Sequence, residues 1–456
     1  MSAKRKRKQP ILERINEHAA GIDVGASMHC VAAPPGSSPD GMDVKEFGAF
    51  TEDLVAIVKW LLECGVTTVA IESTGVYWIP LFELIETHGI AAQLVDPRQL
   101  KRVPGKKTDI LDCQWLQELH TLGLLAGAFR PPEQVTALRT YVRQRDMLVR
   151  YASDHVQHIQ KALTQMNIKL QHVVADITGV TGMTIIRAIV AGERSPKNLA
   201  AHRRAGCKHD EATIAKALEG TWRDEHLFSL RQALELFDFY HDKIAACDAA
   251  IEAHLAGFPD RSGGSPPPSS PKRRRRKSQP NFDLRSSLIS MTGVDLTAIE
   301  GLEATTVLKV VSETGVDMTQ WLTDKHFSSW LGLCPGSKKS GGRNYSSRTK
   351  PCANRAAAAL RLAAQSLHHS HSYLGAFLRR KAAQHGMPKA ITATAHKLAR
   401  LIYSMLKHGS EYVAKTQEDY EQSHRQRTIT NLSKNAKRLG YILVLAPLPA
   451  PVPQSA

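Results

Sequence analysis

Between about residues 18 and 130, the hydrophobic positions fall in runs short and β-branched enough for strands, and these alternate with stretches of helical period. "AAGIDVGASMHCVAA" reads as a strand, a glycine break and a second strand, and "VKEFGAF" as a third. "TEDLVAIVKWLLECG" has Thr51 as N-cap, acids in its first turn and Gly65 as terminator, which predicts a helix. "TTVAIES" is apolar enough for a buried strand, and a helix near 78 to 88 and the strand "IAAQLVD" follow it. Three strands, then alternating helix and strand, suit a ribonuclease-H-like α/β fold.

From residue 135 onward the pattern changes to heptads. Val135, Leu138, Val142, Arg145, Val149, Ala152, Val156, Ile159, Leu163, Met166, Leu170 and Val173 alternate three- and four-residue steps, with Arg145 as the polar member. This predicts a long helix packed on another. The run Leu227, Leu230, Leu234, Phe237, His241, Ile244, Asp248, Ile251 and Leu255 is a candidate partner, and "TGVTG" and "AGERSP" break helicity between the two. A helical hairpin within one chain and a coiled coil between two chains both fit. "RSGGSPPPSSPKRRRRKSQP" is a linker by composition. Beyond it "NRAAAALRLAAQSL" and "AITATAHKLARLIYSML" mark a mainly helical domain. There, "LISMTGVDLTAIEGLEATTVLKVV" has the form of a helix-hairpin-helix whose turn would offer backbone N–H groups to phosphates. The expected division is a basic tail (1–17), the α/β domain (18–130), a helical coiled-coil domain (131–258), a basic linker (259–282), a mainly helical C-terminal domain (283–415) and a tail (416–456), disordered after 440.

Composition narrows the functions. The chain has 456 residues, 42% of them hydrophobic, so two or three domains with proper cores are expected. Its 60 Lys and Arg against 43 Asp and Glu leave a net charge of +17, which points to polyanions such as DNA or RNA before a membrane surface. No apolar run reaches about 18 residues, and the basic start is followed by the polar "ILERINEH" rather than a signal-peptide core, so a cytosolic protein is expected. The seven cysteines are scattered, with no Cys-x-x-Cys pair, which argues against disulfides and a structural zinc. His202, Cys207 and His209 form a weak metal candidate, against the simpler reading of a polar loop.

The sharpest chemistry lies in "KKTDILDCQW". Asp109 and Asp112 stand three residues apart, on one face of a helix whose expected N-cap is Thr108. First-turn acids ordinarily just complement the helix dipole. Two further carboxylates change the balance: Asp23 at a strand–turn junction in "GIDVG", and Glu72 at the end of a buried run, where an unpartnered acid is costly. In a ribonuclease-H-type sheet these elements converge. Four clustered acids repel unless cations enter, and oxygen-only ligands suit Mg²⁺ or Mn²⁺. Two such ions about 3.5–4 Å apart would stabilise the attacking and leaving oxygens of a phosphodiester. Lys106 and Lys107 then become phosphate guides, and Arg273, Arg274, Arg275 and Arg276 of the linker become nucleic-acid contacts. An actin-like kinase would share the sheet, but the sequence has no second Gly-rich phosphate loop and no adenosine site.

The blocks "GIDVG", "IESTGVYW", "VPGKKTDILDCQWL", "ALTQMNIKL", "ITGVTGMTIIRAIVAGER", "EHLFSLRQALELFDFY" and "LGLCPGSKKSGGRN", spread over residues 18 to 410, resemble the DEDD transposases of the insertion-sequence-one-hundred-ten family, in its eleven-eleven subgroup. The resemblance implies a RuvC-like domain, a coiled-coil insertion and a C-terminal transposase domain. It also implies recombination of donor and target DNA guided by a structured bridge RNA; a homo-oligomer, at least a dimer, is expected from the apolar seam of Val135 to Val173 and from two DNA strands needing two active sites. A serine of the family's Ser-Gly-Gly stretch falls on Ser340, implying a serine–DNA covalent intermediate, with Lys338, Lys339 and Arg343 as phosphate contacts beside it. The chain departs from the family pattern in "MTGVDLTAIEGL", which lacks a Pro-Gly-Ile-Gly hairpin core, and at Pro351 and Cys352. Two other functions fit the residues alone: a RuvC-like nuclease that hydrolyses DNA with water, and a non-catalytic RNA- or DNA-binding scaffold.

Overall fold

The computed structural model describes residues 13–97, 100, 108–264, 279–346, 348–349, 351–409 and 417–444. The chain forms two compact units, Met1–Arg130 and Pro131–Ala456.

The first unit runs β1 (Ala19–Val24), β2 (Met28–Ala32), β3 (Val44–Gly48), α1 (Thr51–Glu63), β4 (Thr68–Glu72), α2 (Trp78–Thr87), β5 (Ala91–Val95) and α3 (Asp109–Thr121). Its sheet has the order β3-β2-β1-β4-β5, antiparallel among the first three strands and parallel from β1 to β4 to β5. Side chains alternate between the two faces of each strand. The large residues Ile22, Val24, Val31, Val69 and Ile71 meet α1 through Leu54, Ile57 and Leu61, and α2 through Leu81, Phe82 and Ile85. The other face carries small residues, Gly21, Cys30, Ala32 and Ala70, and on it lies α3 with Cys113 and Leu116. The five strands and three helices follow the hydrophobic pattern. The N-cap of α1 is Phe50 rather than Thr51, and the Asp53 carboxylate accepts from the Phe50 N–H at 3.0 Å.

The second unit opens on α4 (Glu133–Gln165), continues through α5 (Leu170–Val173), α6 (Val180–Val190), α7 (Pro196–Ala200) and α8 (Glu211–Ala217), and returns along α9 (Asp224–Ala256). α4 and α9 lie antiparallel. Gln134 donates to the Gly257 carbonyl at one end, Thr221 N–H donates to the Met166 carbonyl at the other, and buried Arg145 pairs with buried Asp248 between them. The polar member of the first heptad run thus meets the polar member of the second within one chain. The expected helix to Val173 stops at Gln165. Asn167 takes a left-handed conformation (φ 58°), and the N–H groups of Asn167 and Ile168 bond back to Thr164 and Leu163, a Schellman end. The segments that break helicity fold as a head on the hairpin. Its core joins Ile159, Leu163 and Met166 of the α4 end to Ile185, Ile186 and Ile189 of α6, to Leu199 and Ile214, and to Leu230 and Leu234 of α9.

The remainder comprises α10 (Leu284–Thr292), α11 (Ala304–Thr314), α12 (Asp324–Trp330), the hairpin β6 (Lys338–Ser340) and β7 (Arg343–Ser346), then α13 (Arg355–Ser366), α14 (Tyr373–His385), α15 (Met387–His408) and α16 (Gln417–Arg438). α11 packs on α13 and against α4, where Arg139 and Arg143 close on the buried Glu313 and Lys309 meets Asp146. Trp321, Phe327, Trp330 and Tyr403 form the aromatic core under α12 and α15. The stretch after 416, expected as a tail, contains α16 against α14, and the disorder expected after 440 falls mostly outside the described residues. Among the described residues, no helix is long and apolar enough to cross a membrane.

Candidate active site

The four acids owe their position to the alternation of β1 and β4 and to the capped start of α3. Ile22 pairs with Ile71 across the parallel ladder, so Asp23 and Glu72, one residue further on each strand, stand at the same height on adjacent strands. Both are half-buried, and both share the face of Gly21 and Ala70, the face that carries α3. α3 crosses this face antiparallel to β1. Gln117 donates to the Ala19 carbonyl at 3.1 Å, and a Cβ placed on Gly21 would lie 2.4 Å from the Gln117 nitrogen and 2.5 Å from the Cys113 oxygen. Only a glycine admits the helix backbone so near the strand.

Moving two residues up the strand from Gly21 to Asp23 therefore matches moving down one turn of α3, from Cys113 to Asp109, and Asp112 lies between these two in the sequence of that turn. Thr108 caps that turn as expected, its hydroxyl accepting from the Leu111 N–H at 3.3 Å. Asp109 is exposed and Asp112 half-buried. The proximity is also felt by two thiols beneath the acids. Cys30, which pairs with Asp23 across β1 and β2, lies with its sulfur 3.1 Å from that of Cys113. Burial pushes both thiols above the ordinary range, and the Asp23 charge adds to this in each. They are packing groups with little thiolate character.

The structure thus brings Asp23, Glu72, Asp109 and Asp112 to one end of one face of the sheet. Among the described residues, no group of three or more His, Cys, Asp or Glu side chains is placed to hold a metal ion. The donor set itself is all carboxylate, which fits a hard cation. Lys106 and Lys107, and Arg273 to Arg276, lie outside the described residues.

Ser340 is the last residue of β6 and pairs with Arg343, the first of β7. Gly341 (φ 54°) and Gly342 (φ 74°) between them are both left-handed, the two-residue turn that a tight hairpin demands. Ser340 and Arg343 are exposed at its base, Lys338 and Lys339 belong to β6, and a Cβ on either glycine would meet nothing within 4 Å. The helix-hairpin-helix expectation fares differently. α10 ends at left-handed Gly293, but in the turn that follows Asp295 accepts from the Thr297 N–H and hydroxyl and from Arg285. A carboxylate there answers donors that a phosphate would need.

The His202, Cys207 and His209 candidate does not assemble. Cys207 points to the Thr181 hydroxyl at 3.5 Å while both histidines are exposed. All seven cysteines are free thiols. Residue reasoning missed Gly21, although a lone glycine inside an apolar strand is a known sign of close backbone approach.

The chain thus joins an acid-bearing α/β unit to a helical unit that carries an exposed Ser-Gly-Gly hairpin. A DEDD transposase family model matches residues 20–168, and one described as Transposase IS116/IS110/IS902 family matches residues 295–378, together about half of the chain. The chain belongs to the IS110 family of DEDD transposases, enzymes that recombine DNA. No curated protein matches it.

Proposed function

We propose that the first unit is a RuvC-like catalytic domain, and that the chain cuts and rejoins the strands of donor and target DNA through a covalent serine–DNA intermediate. The observation that carries this is the placement of Asp23 and Glu72 at equal height on adjacent parallel strands, under the helix whose first turn holds Asp109 and Asp112. Those four carboxylates are the groups that would hold Mg²⁺ or Mn²⁺, which supplies charge stabilisation to the attacking and leaving oxygens. Ser340 is the nucleophile. Its Oγ forms a bond to phosphorus as the bond to the leaving sugar oxygen breaks; the hydroxyl proton is lost and the leaving oxygen gains one. The ester so formed keeps the bond energy for rejoining, which hydrolysis by water would discard. Arg343, the ladder partner of Ser340 across the hairpin, is the phosphate contact.

The finer assignment, to the eleven-eleven subgroup with a bridge RNA, rests on the resemblance and on the +17 charge, and that of at least a dimer on two DNA strands needing two active sites. The division of the second unit into a helical coiled-coil domain (131–258), a basic linker (259–282) and a transposase domain (283–415) rests on the change from heptads to a Pro/Ser-rich basic stretch and then to a new helical pattern.

Asp23→Asn and Asp112→Asn should abolish strand cleavage by the full-length protein while nucleic-acid binding persists. Ser340→Ala should bind DNA and yield no protein–DNA adduct on a denaturing gel. Cleavage by wild type that leaves only free ends would establish a water-using nuclease instead. Full cleavage by either acid variant would remove the metal site from the reading.

A further inference from the structure

The head of the helical hairpin presents a feature that the chemistry above does not use. Between α7 and α8, outside both stretches matched by the family models, runs Ala201 to His209, "AHRRAGCKH". A run of cations on a surface is ordinarily a solvated face, and solvation alone requires no fixed backbone. This loop is fixed. The Arg203 guanidinium is turned inward, donating to the His209 carbonyl at 2.7 Å and the Cys207 carbonyl at 2.9 Å. The Cys207 N–H closes a turn on the Arg204 carbonyl at 2.9 Å, and the Cys207 thiol reaches Thr181 on α6.

With one arginine used as a staple, Arg204 and Lys208 are left exposed on the two sides of Ala205 and Gly206. Those two are small and exposed, and a Cβ on Gly206 would meet nothing within 4 Å, so the backbone between the cations is open to close approach. Of the neighbouring acids, Asp210 is committed as the cap of α8, accepting from the Thr213 N–H at 2.8 Å; Glu211 is exposed in the first turn. Holding like charges near one another on an ordered loop costs free energy that an anion returns. Because the loop is already closed, little further ordering is needed on binding.

We infer that Ala201–His209 is a second nucleic-acid contact, in which Arg204 and Lys208 bind the phosphodiester backbone without reading bases. The inference rests on the reading of the chain as a DNA recombinase. It assigns the head a role as an outlying phosphate clamp, apart from the acids and Ser340. Each phosphate neutralised on duplex DNA adds about 0.9 to the slope of log affinity against log salt, and about 0.7 on a single strand.

The test uses the full chain and two probes, a mixed-sequence DNA duplex and an RNA hairpin, with anisotropy titrations between about 50 and 200 mM salt. Arg204→Ala with Lys208→Ala should flatten the slope by about 1.8 on duplex DNA if both contacts are to DNA, and by a comparable amount on the hairpin if RNA is the ligand. A matched pair on the same unit, Lys161→Ala with Arg231→Ala, both exposed, should leave both slopes unchanged. Unchanged slopes for the loop variant on both probes, or an equal loss in the matched pair, overturn the inference while the recombinase reading stands. Wild type that binds neither probe overturns both.

Discussion

Gly21 illustrates how much a single missing side chain decides. Any Cβ there must displace the backbone of α3, which has no flexible end to swing aside. Gly21→Ala should therefore destabilise the protein by about 1–3 kcal/mol, measured by denaturant unfolding. Cleavage should suffer more than stability, because the helix that must move carries Asp109 and Asp112. An alanine variant with wild-type cleavage would mean that α3 does not set the acids. Gly341 and Gly342 act in the opposite way, through backbone conformation rather than space. Gly342→Val places a β-branched residue in a left-handed conformation and should lower adduct formation by Ser340 on denaturing gels, with DNA affinity in anisotropy titrations retained. The four carboxylates were legible in the sequence because acids at strand ends and in a capped first turn carry their own signal. The service of Gly21 was not, since it depends on which helix comes to lie on which face.

Among the elements, the paired long helices show where a pattern stops being informative. The heptad runs foretold α4 and α9 and even their polar members, yet they could not say whether Arg145 and Asp248 meet within one chain. Removing one partner leaves a buried charge. Asp248→Ala should cost about 3–5 kcal/mol in unfolding free energy, whereas Arg145→Met with Asp248→Leu should be close to wild type. Equal losses in the single and double variants would show that the pair matters for shape rather than charge. The end of α4 was hidden for a different reason. The apolar spacing continues smoothly through Met166, Leu170 and Val173, which are all buried, but in the core of the head rather than along a helix stripe. Spacing records that a residue is inside, and only Asn167, whose left-handed backbone turns the chain, records that the direction has changed. The strands of the first unit were easier because the two faces differ in side-chain size, and only the small face admits a helix so close.

For the molecule as a whole, pH should act through buried imidazoles. His120 is buried, with its Nε2 2.9 Å from the Thr68 hydroxyl, and burial holds it below the ordinary histidine range. Folded, it takes up a proton only at a lower pH than it does in the unfolded chain. Above about pH 6.5 neither state is charged and there is no dependence; as the pH falls below that value the unfolded chain binds the extra proton and stability declines. The slope is at most about 1.4 kcal/mol per pH unit for this group. Thermal unfolding at pH 7.5 and 5.5 should show the loss, and His120→Gln should reduce it. A pH dependence unaltered by that substitution would assign the effect to other groups. The strong positive balance acts on partners rather than on the fold, and the same runs of Lys and Arg that advertised nucleic acid in the sequence could not show which of them the folded chain ties back on itself, as it does Arg203.

The hydrogen bond from Thr221 to the Met166 carbonyl has a consequence for engineering and descent. The chain leaves the helical hairpin at Met166 and comes back beside the same residue, so more than fifty residues hang from a single gap in an otherwise continuous pair of helices. Such a segment behaves as a cassette. Lengthening, shortening or replacing it should leave the register of α4 against α9 unshifted, provided that whatever replaces it covers Ile159, Leu163, Leu230 and Leu234. A graft of another small helical module at this gap is then the natural way to give the recombinase a new surface while leaving its cutting parts in place.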